Sequence, residues 1–115
     1  MKLIYIAAKF SAPTREGVEA NIRAAVELGL EVARIGACPV IPHANTAHPE
    51  FEHIQPYAFW IEATMALLLR CDAILMHPNW RESSGAHGEH DAAEKRGMAV
   101  FYSVDELRDW LEGVT

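Results

Sequence analysis

Apolar and polar positions alternate in blocks along the chain, and the blocks change period as they go. Leu3-Ile4-Tyr5-Ile6-Ala7-Ala8 is a near-continuous apolar run, the pattern of a parallel strand covered on both faces. From Thr14, a suitable N-cap, Val18, Ile22, Ala25, Val26 and Val32 recur near helical spacing, with Glu16, Glu19, Arg23, Glu27 and Glu31 mostly off that face. Gly29 weakens this helix a little, and Gly36 suits its C-terminal cap. Cys38-Pro39-Val40-Ile41 predicts a short second strand, placed by Pro39 at a sheet edge or at its own start. Pro42 to Glu52 reads as a long polar loop.

Pro56 suits the first turn of a second helix that runs to about Arg70. Its apolar residues, among them Tyr57, Phe59, Trp60, Ile61, Met65 and Leu68, cover more than one face. The surplus predicts either extra core or a subunit contact, so helix 54–70 is the expected surface for a homo-oligomer, a dimer or larger. Asp72 to Met76 predicts a third strand and His77 to Glu82 a loop. Gly85 to Gly97 predicts a third helix, Met98 to Tyr102 a fourth strand, and Ser103-Val104-Asp105-Glu106 a capping box before the last helix. The order βαβαβαβα predicts a three-layer α/β domain, Rossmann/flavodoxin-like, with a parallel sheet of about four strands and helices on both faces. Residues 1–115 form one such domain.

Composition and charge narrow the function. The formal net charge of −6 disfavours a nucleic-acid polymer as partner, because phosphate backbones are held by clustered Lys and Arg. The first apolar run is too short for a leader or a bilayer span, and the two cysteines, Cys38 and Cys71, lack metal-binding spacing. They read as buried, reduced thiols, so a cytoplasmic protein without membrane association is expected.

The chemistry concentrates in Ser83-Ser84-Gly85-Ala86-His87-Gly88-Glu89-His90-Asp91, a glycine-bearing turn between strand and helix. Such a turn offers free backbone N–H groups and the positive end of a helix dipole to an anion. In a parallel sheet, ligands bind beyond the carboxyl ends of the strands. The loops there bring Tyr5 and Phe10 from the first, and His43 and Asn45 from the second. Plainer roles stand beside these. Glu89 also complements a helix dipole, Ser83 or Ser84 serves as an N-cap, Tyr5 fits a core, and Trp80 equally caps the core or stacks on a base.

The start Ile4-Tyr5-Ile6-Ala7-Ala8, the strand Cys71-Asp72-Ala73-Ile74, and Ser83-x-Gly85-x-x-x-Glu89 followed by Ala93 and Gly97 resemble the nucleoside 2-deoxyribosyltransferase-like superfamily. They look closer still to a small branch of it, related to the 2′-deoxynucleoside 5′-monophosphate N-glycosidases. The resemblance spans about Lys2 to Tyr102. It implies an enzyme that cleaves or transfers the N-glycosidic bond of a nucleoside or nucleotide, and no cofactor or metal is expected. Glu89 is then the nucleophile, forming a glycosyl-enzyme, and Tyr5 orients it. Ser83, Ser84 and Gly85 hold the 5′ end of the sugar or its phosphate, and Ala8, Phe10, His43 and Trp80 complete the substrate-binding set.

One position departs from the pattern. The family usually carries an aspartate in the second helix, eight residues before Asp72, where this chain has Thr64. That favours a second reading, a non-catalytic nucleotide-binding or sensor protein on the same fold. A third is a metal-dependent hydrolase using His87 and His90, spaced i,i+3. Asp72 itself lies at the wrong end of its strand for catalysis and reads as structural.

Overall fold

The computed structural model describes residues 1–113. Four strands, β1 (Leu3–Ala7), β2 (Cys38–Val40), β3 (Ala73–Met76) and β4 (Ala99–Phe101), form one parallel sheet in the order β2-β1-β3-β4. The connections carry α1 (Arg15–Arg34), α2 (Pro42–Asn45), α3 (Tyr57–Leu68) and α4 (Ser84–Lys95), and α5 (Val104–Leu111) follows β4. The fold is the expected three-layer, Rossmann-like α/β arrangement.

Alternation along the strands divides the core in two. Ile4, Ile6 and Ala8 pack with Ala25, Leu28 and Val32 of α1 and Leu107 of α5 on one face. Tyr5 and Ala7 pack with Leu68 of α3 and Ala86 and Ala93 of α4 on the other. A continuous apolar strand is thus needed because both faces are covered.

Several local expectations hold, with their physical causes visible. The Thr14 side chain accepts from Gly17 N, and Gly36, at φ 92°, follows the end of α1 in a conformation that favours glycine. Ser103 Oγ accepts from Glu106 N, but Glu106 Oε1 accepts from Tyr102 N, one residue earlier than a capping box requires. Asp72 Oδ2 accepts from Leu3 N at 2.7 Å, tying the start of β1 to the residue before β3.

Three expectations need correction. The stretch from Pro42 to Glu52 is not one open loop: α2 and a 3₁₀ turn (Pro49–His53) occupy most of it, each with a proline in its first turn where a missing N–H costs nothing. Gly29 is more than a weak spot in α1. A Cβ there would lie 2.6 Å from Ile41 Cδ1 and 3.3 Å from Pro39 Cβ, so the glycine lets α1 approach the end of β2. Cys38 and Cys71 are free but half-buried rather than buried. Burial, then the neighbouring Asp72 carboxylate, pushes the Cys71 thiol up to about 11.

Candidate active site

Strand β1 connects through α1 to β2 on one side, while β3 lies on its other side, so the strand order reverses between β1 and β3. A crevice at the carboxyl ends of such a pair is where α/β folds bind ligands. Here it is a cavity of about 470 Å³. Its floor is the end of β1 and the first turns of α4. Its roof is α2, the 3₁₀ turn and the first half of α3.

The loops that frame the cavity are held by backbone. His77 N donates to Ala7 O at 2.8 Å, and Lys9 N donates to Asn79 Oδ1 at 3.0 Å, joining the loops after β1 and β3. Asn21 Nδ2 donates to Phe10 O at 2.9 Å. At the mouth, Lys9 pairs with Glu82 at 3.4 Å and Arg15 with Glu52 at 3.7 Å. These exposed pairs add little stability, but they place two cations, Lys9 and Arg15, on the lining of the cavity.

That N-terminus is capped by Ser83, whose Oγ accepts from Ala86 N at 3.1 Å. The cap leaves the hydroxyl proton of Ser83 free to donate elsewhere. Ser83, Ser84 and Gly85 all line the cavity, and a Cβ at Gly85 would approach nothing nearer than Ser83 Oγ at 3.7 Å. The side of Gly85 facing the cavity is therefore open backbone.

Glu89, one turn further along α4, also lines the cavity. The fully buried Tyr5 phenol donates a hydrogen bond to Glu89 Oε2. Burial pushes the Glu89 carboxyl up to about 7, and the Tyr5 hydrogen bond pulls it back towards the ionised form. Burial, then the Glu89 charge, drives the phenol well above its ordinary range, so Tyr5 stays a proton donor. The arrangement is a desolvated carboxylate with one oxygen fixed, set beside an anion-accepting helix end.

Of the expected site residues, Ala8, Phe10, His43, Ser83, Ser84, Gly85 and Glu89 line this cavity, and Tyr5 lies under it. Trp80 does not line it. Its indole is buried, stacked on His90 at 4.5 Å between ring centroids and tilted against His87 at 4.7 Å, on the far side of α4. Of the two roles weighed for Trp80, the structure selects the core. The same contacts separate His87 and His90 from a metal role together: His87 Nε2 reaches Arg81 O at 3.3 Å and His90 Nε2 reaches Tyr102 Oη at 2.7 Å. Donor atoms of His90, Asp91 and Glu94 do come within 4.8 Å of one another, but both acids are exposed and the group lies outside the cavity.

Trp60, which the sequence pattern places in the surplus apolar surface of helix 54–70, lines the cavity together with Thr64. Their i,i+4 spacing places both on one helix face, a signal that the aromatic excess of this helix obscured. Trp60 Nε1 and His43 Nδ1 are buried and have no hydrogen-bond partner among the described residues. Leaving a buried polar group unpaired costs about 1–3 kcal/mol. Burial also lowers the His43 imidazole to about 4, so it is neutral at ordinary pH.

Fold and site together define a parallel α/β domain with a buried carboxylate–phenol pair at its topological switch point. Residues 3–102 match a domain of unknown function, DUF4406, and the chain belongs to that family. Comparison with curated proteins finds no match. No helix among the described residues is long and apolar enough to cross a membrane.

Proposed function

We propose that this protein cleaves or transfers the N-glycosidic bond of a 2-deoxyribonucleoside or its 5′-monophosphate. The observation that carries this reading is the hydrogen bond from Tyr5 to Glu89 beneath a cavity that also receives the α4 N-terminus. With Oε2 held by the phenol, Glu89 Oε1 attacks the anomeric carbon. The C1′–O bond forms as the C1′–N bond breaks, and the base departs with the bonding pair and takes a proton from water. In the second half, a water molecule or an incoming base attacks C1′ and gives up its proton to the hydroxide left by the first half, and the bonding pair returns to the Glu89 carboxylate. Ser83, Ser84 and Gly85 hold the 5′ end, and Lys9 and Arg15, which line the same cavity, favour a phosphate. The resemblance to deoxyribosyltransferases supports the same roles.

Thr64 favours a second reading. It stands where that superfamily has an acid, and it lines the cavity, so a nucleotide-binding protein without turnover fits the same site. The two separate in one assay. Purified protein is incubated with a panel of deoxynucleosides and deoxynucleoside monophosphates, and free base is followed by chromatography. Base release that disappears in Glu89→Gln supports the enzyme. Nucleotide binding with no release across the panel supports the sensor.

The exposed apolar residues of the segment 54–61 complete the proposal. Ile54, Tyr57, Phe59 and Ile61 remain solvent-exposed, Tyr57 at 73%. A second copy of the chain covers them in a homo-oligomer. Free, half-buried thiols at Cys38 and Cys71 suit the reducing cytoplasm as the place of action.

A further inference from the structure

We propose that Trp60 and His43 read the hydrogen-bonding edge of a heteroaromatic base bound in the cavity, and so set which base the protein accepts. The inference rests on the nucleoside reading above and adds the groups that would discriminate among its substrates.

Two observations on separate elements converge. Trp60 Nε1, on α3, and His43 Nδ1, on α2, are buried without a partner among the described residues, and both rings line the same cavity. Native proteins pair nearly all such atoms, so two in one cavity point to a ligand that pairs them. The surroundings suit a flat ring. His43 lies against Phe10 with ring centroids 4.9 Å apart, and the Trp60 indole is held by edge contacts with Phe51 at 5.9 Å and Phe59 at 5.0 Å. Aromatic walls with few polar atoms are typical of sites that take planar heterocycles.

Position matches the role. The Thr64 hydroxyl lies beside the Tyr5 phenol. Trp60 is one helical turn away, about 5.4 Å along α3. Set one turn of α3 from Thr64, Trp60 meets the base, while the α4 N-terminus meets the sugar's other end. Indole N–H only donates, so the base must present a carbonyl oxygen or ring nitrogen there. Neutral His43 offers Nδ1 as an acceptor in one tautomer and as a donor in the other. Both nitrogens are shut from the surface, so a seated base reaches them after the side-chain adjustment common at binding sites.

The test measures binding of free adenine, guanine, hypoxanthine, cytosine and thymine by calorimetry, which needs no turnover. Trp60→Phe keeps the ring and removes the donor. His43→Leu removes the polar atom, and His43→Asn restores one near the Nδ1 position. Wild type is expected to prefer one base by about tenfold or more, in line with the discrimination that buried polar groups provide. Trp60→Phe and His43→Leu then each weaken that base and bring the panel to within about threefold, with His43→Asn recovering the preference. The proposal is overturned if no base binds wild type at millimolar concentration. It is equally overturned if both variants keep every affinity within about twofold of wild type. Base binding that depends on Trp60, without base release from any nucleoside, leaves this inference standing and removes the catalytic one. Base release with preference unaltered in both Trp60→Phe and His43→Leu does the reverse.

Discussion

The Tyr5 phenol and the Glu89 carboxylate, 84 positions apart in the chain, share a hydrogen bond beneath the cavity. Burial and that bond act on Glu89 in opposite directions. In the catalytic reading, the ionised form attacks, so kcat/KM rises with pH through about 7. Removing the phenol removes the stabilisation of the anion. Tyr5→Phe is therefore expected to move the rising limb to higher pH and to lower the plateau by about tenfold to a hundredfold. A pH–rate series on a deoxynucleoside that wild type cleaves checks it, and an unshifted limb would show that the phenol does not tune the carboxylate.

Stability should carry two opposed pH dependences. Glu89 titrates at about 7 in the folded state against an ordinary 4.5, so the folded chain holds more protons between those values and stability falls as pH rises. His43 titrates at about 4 against 6.5, so the unfolded chain holds more protons and stability falls as pH drops. Each effect is worth about 3 kcal/mol over its full range. They nearly cancel between pH 4.5 and 6.5. Relative to wild type, Glu89→Gln should gain stability as pH rises from 4.5 to 7, and His43→Leu should gain it as pH falls from 6.5 to 4. Urea melts across that range would reveal both slopes, and parallel curves for all three proteins would contradict them.

Gly29→Ala offers a test of packing against propensity. Alanine favours helix by about 1 kcal/mol, yet its Cβ would lie 2.6 Å from Ile41 Cδ1. Overpacking costs about 1–3 kcal/mol, so a net loss is expected in equilibrium unfolding. Ile41→Val removes the obstructing atom, and the double variant should be more stable than the sum of the single changes predicts.

The exposed face of α3 gives a prediction in solution. Sedimentation of wild type should show a dimer or larger species at micromolar concentration, and Ile54→Lys, at a residue 64% exposed just before α3, should shift it towards monomer. A monomeric wild type would leave this face without the partner proposed for it.

The fold was legible because the four strands and the helices α1, α3, α4 and α5 announce themselves locally. Apolar runs mark the strands, and Thr14, Ser83 and Ser103 cap the helices that the spacing predicts. Much of the site was legible too, since Ser83 to Glu89 sits on one turn and its helix. What escaped depends on distant neighbours. Gly29 looks like a helix defect until β2 lies against it, and Trp60 looks like surplus apolar surface until α3 closes over β1. Trp80 and Trp60 are alike in sequence terms, yet the first is stacked on His90 and the second faces the cavity.

Asp72 bears on this chemistry from the opposite end of the sheet. Its carboxylate grips Leu3 N where β1 begins, and β1 then runs alongside β3 with Ile4 opposite Ala73 and Tyr5 opposite Ile74. Side chains of a strand alternate between faces, so a slip of one residue would send Tyr5 to the α1 side and bring Ile4 or Ile6 under Glu89. The apolar pattern of β1 sets that count, and the two bonds between Asp72 and Leu3, one from the side chain and one from the backbone, mark the same count at the strand's first residue. A surface residue far from the cavity thereby supports the arrival of Tyr5 at the carboxylate.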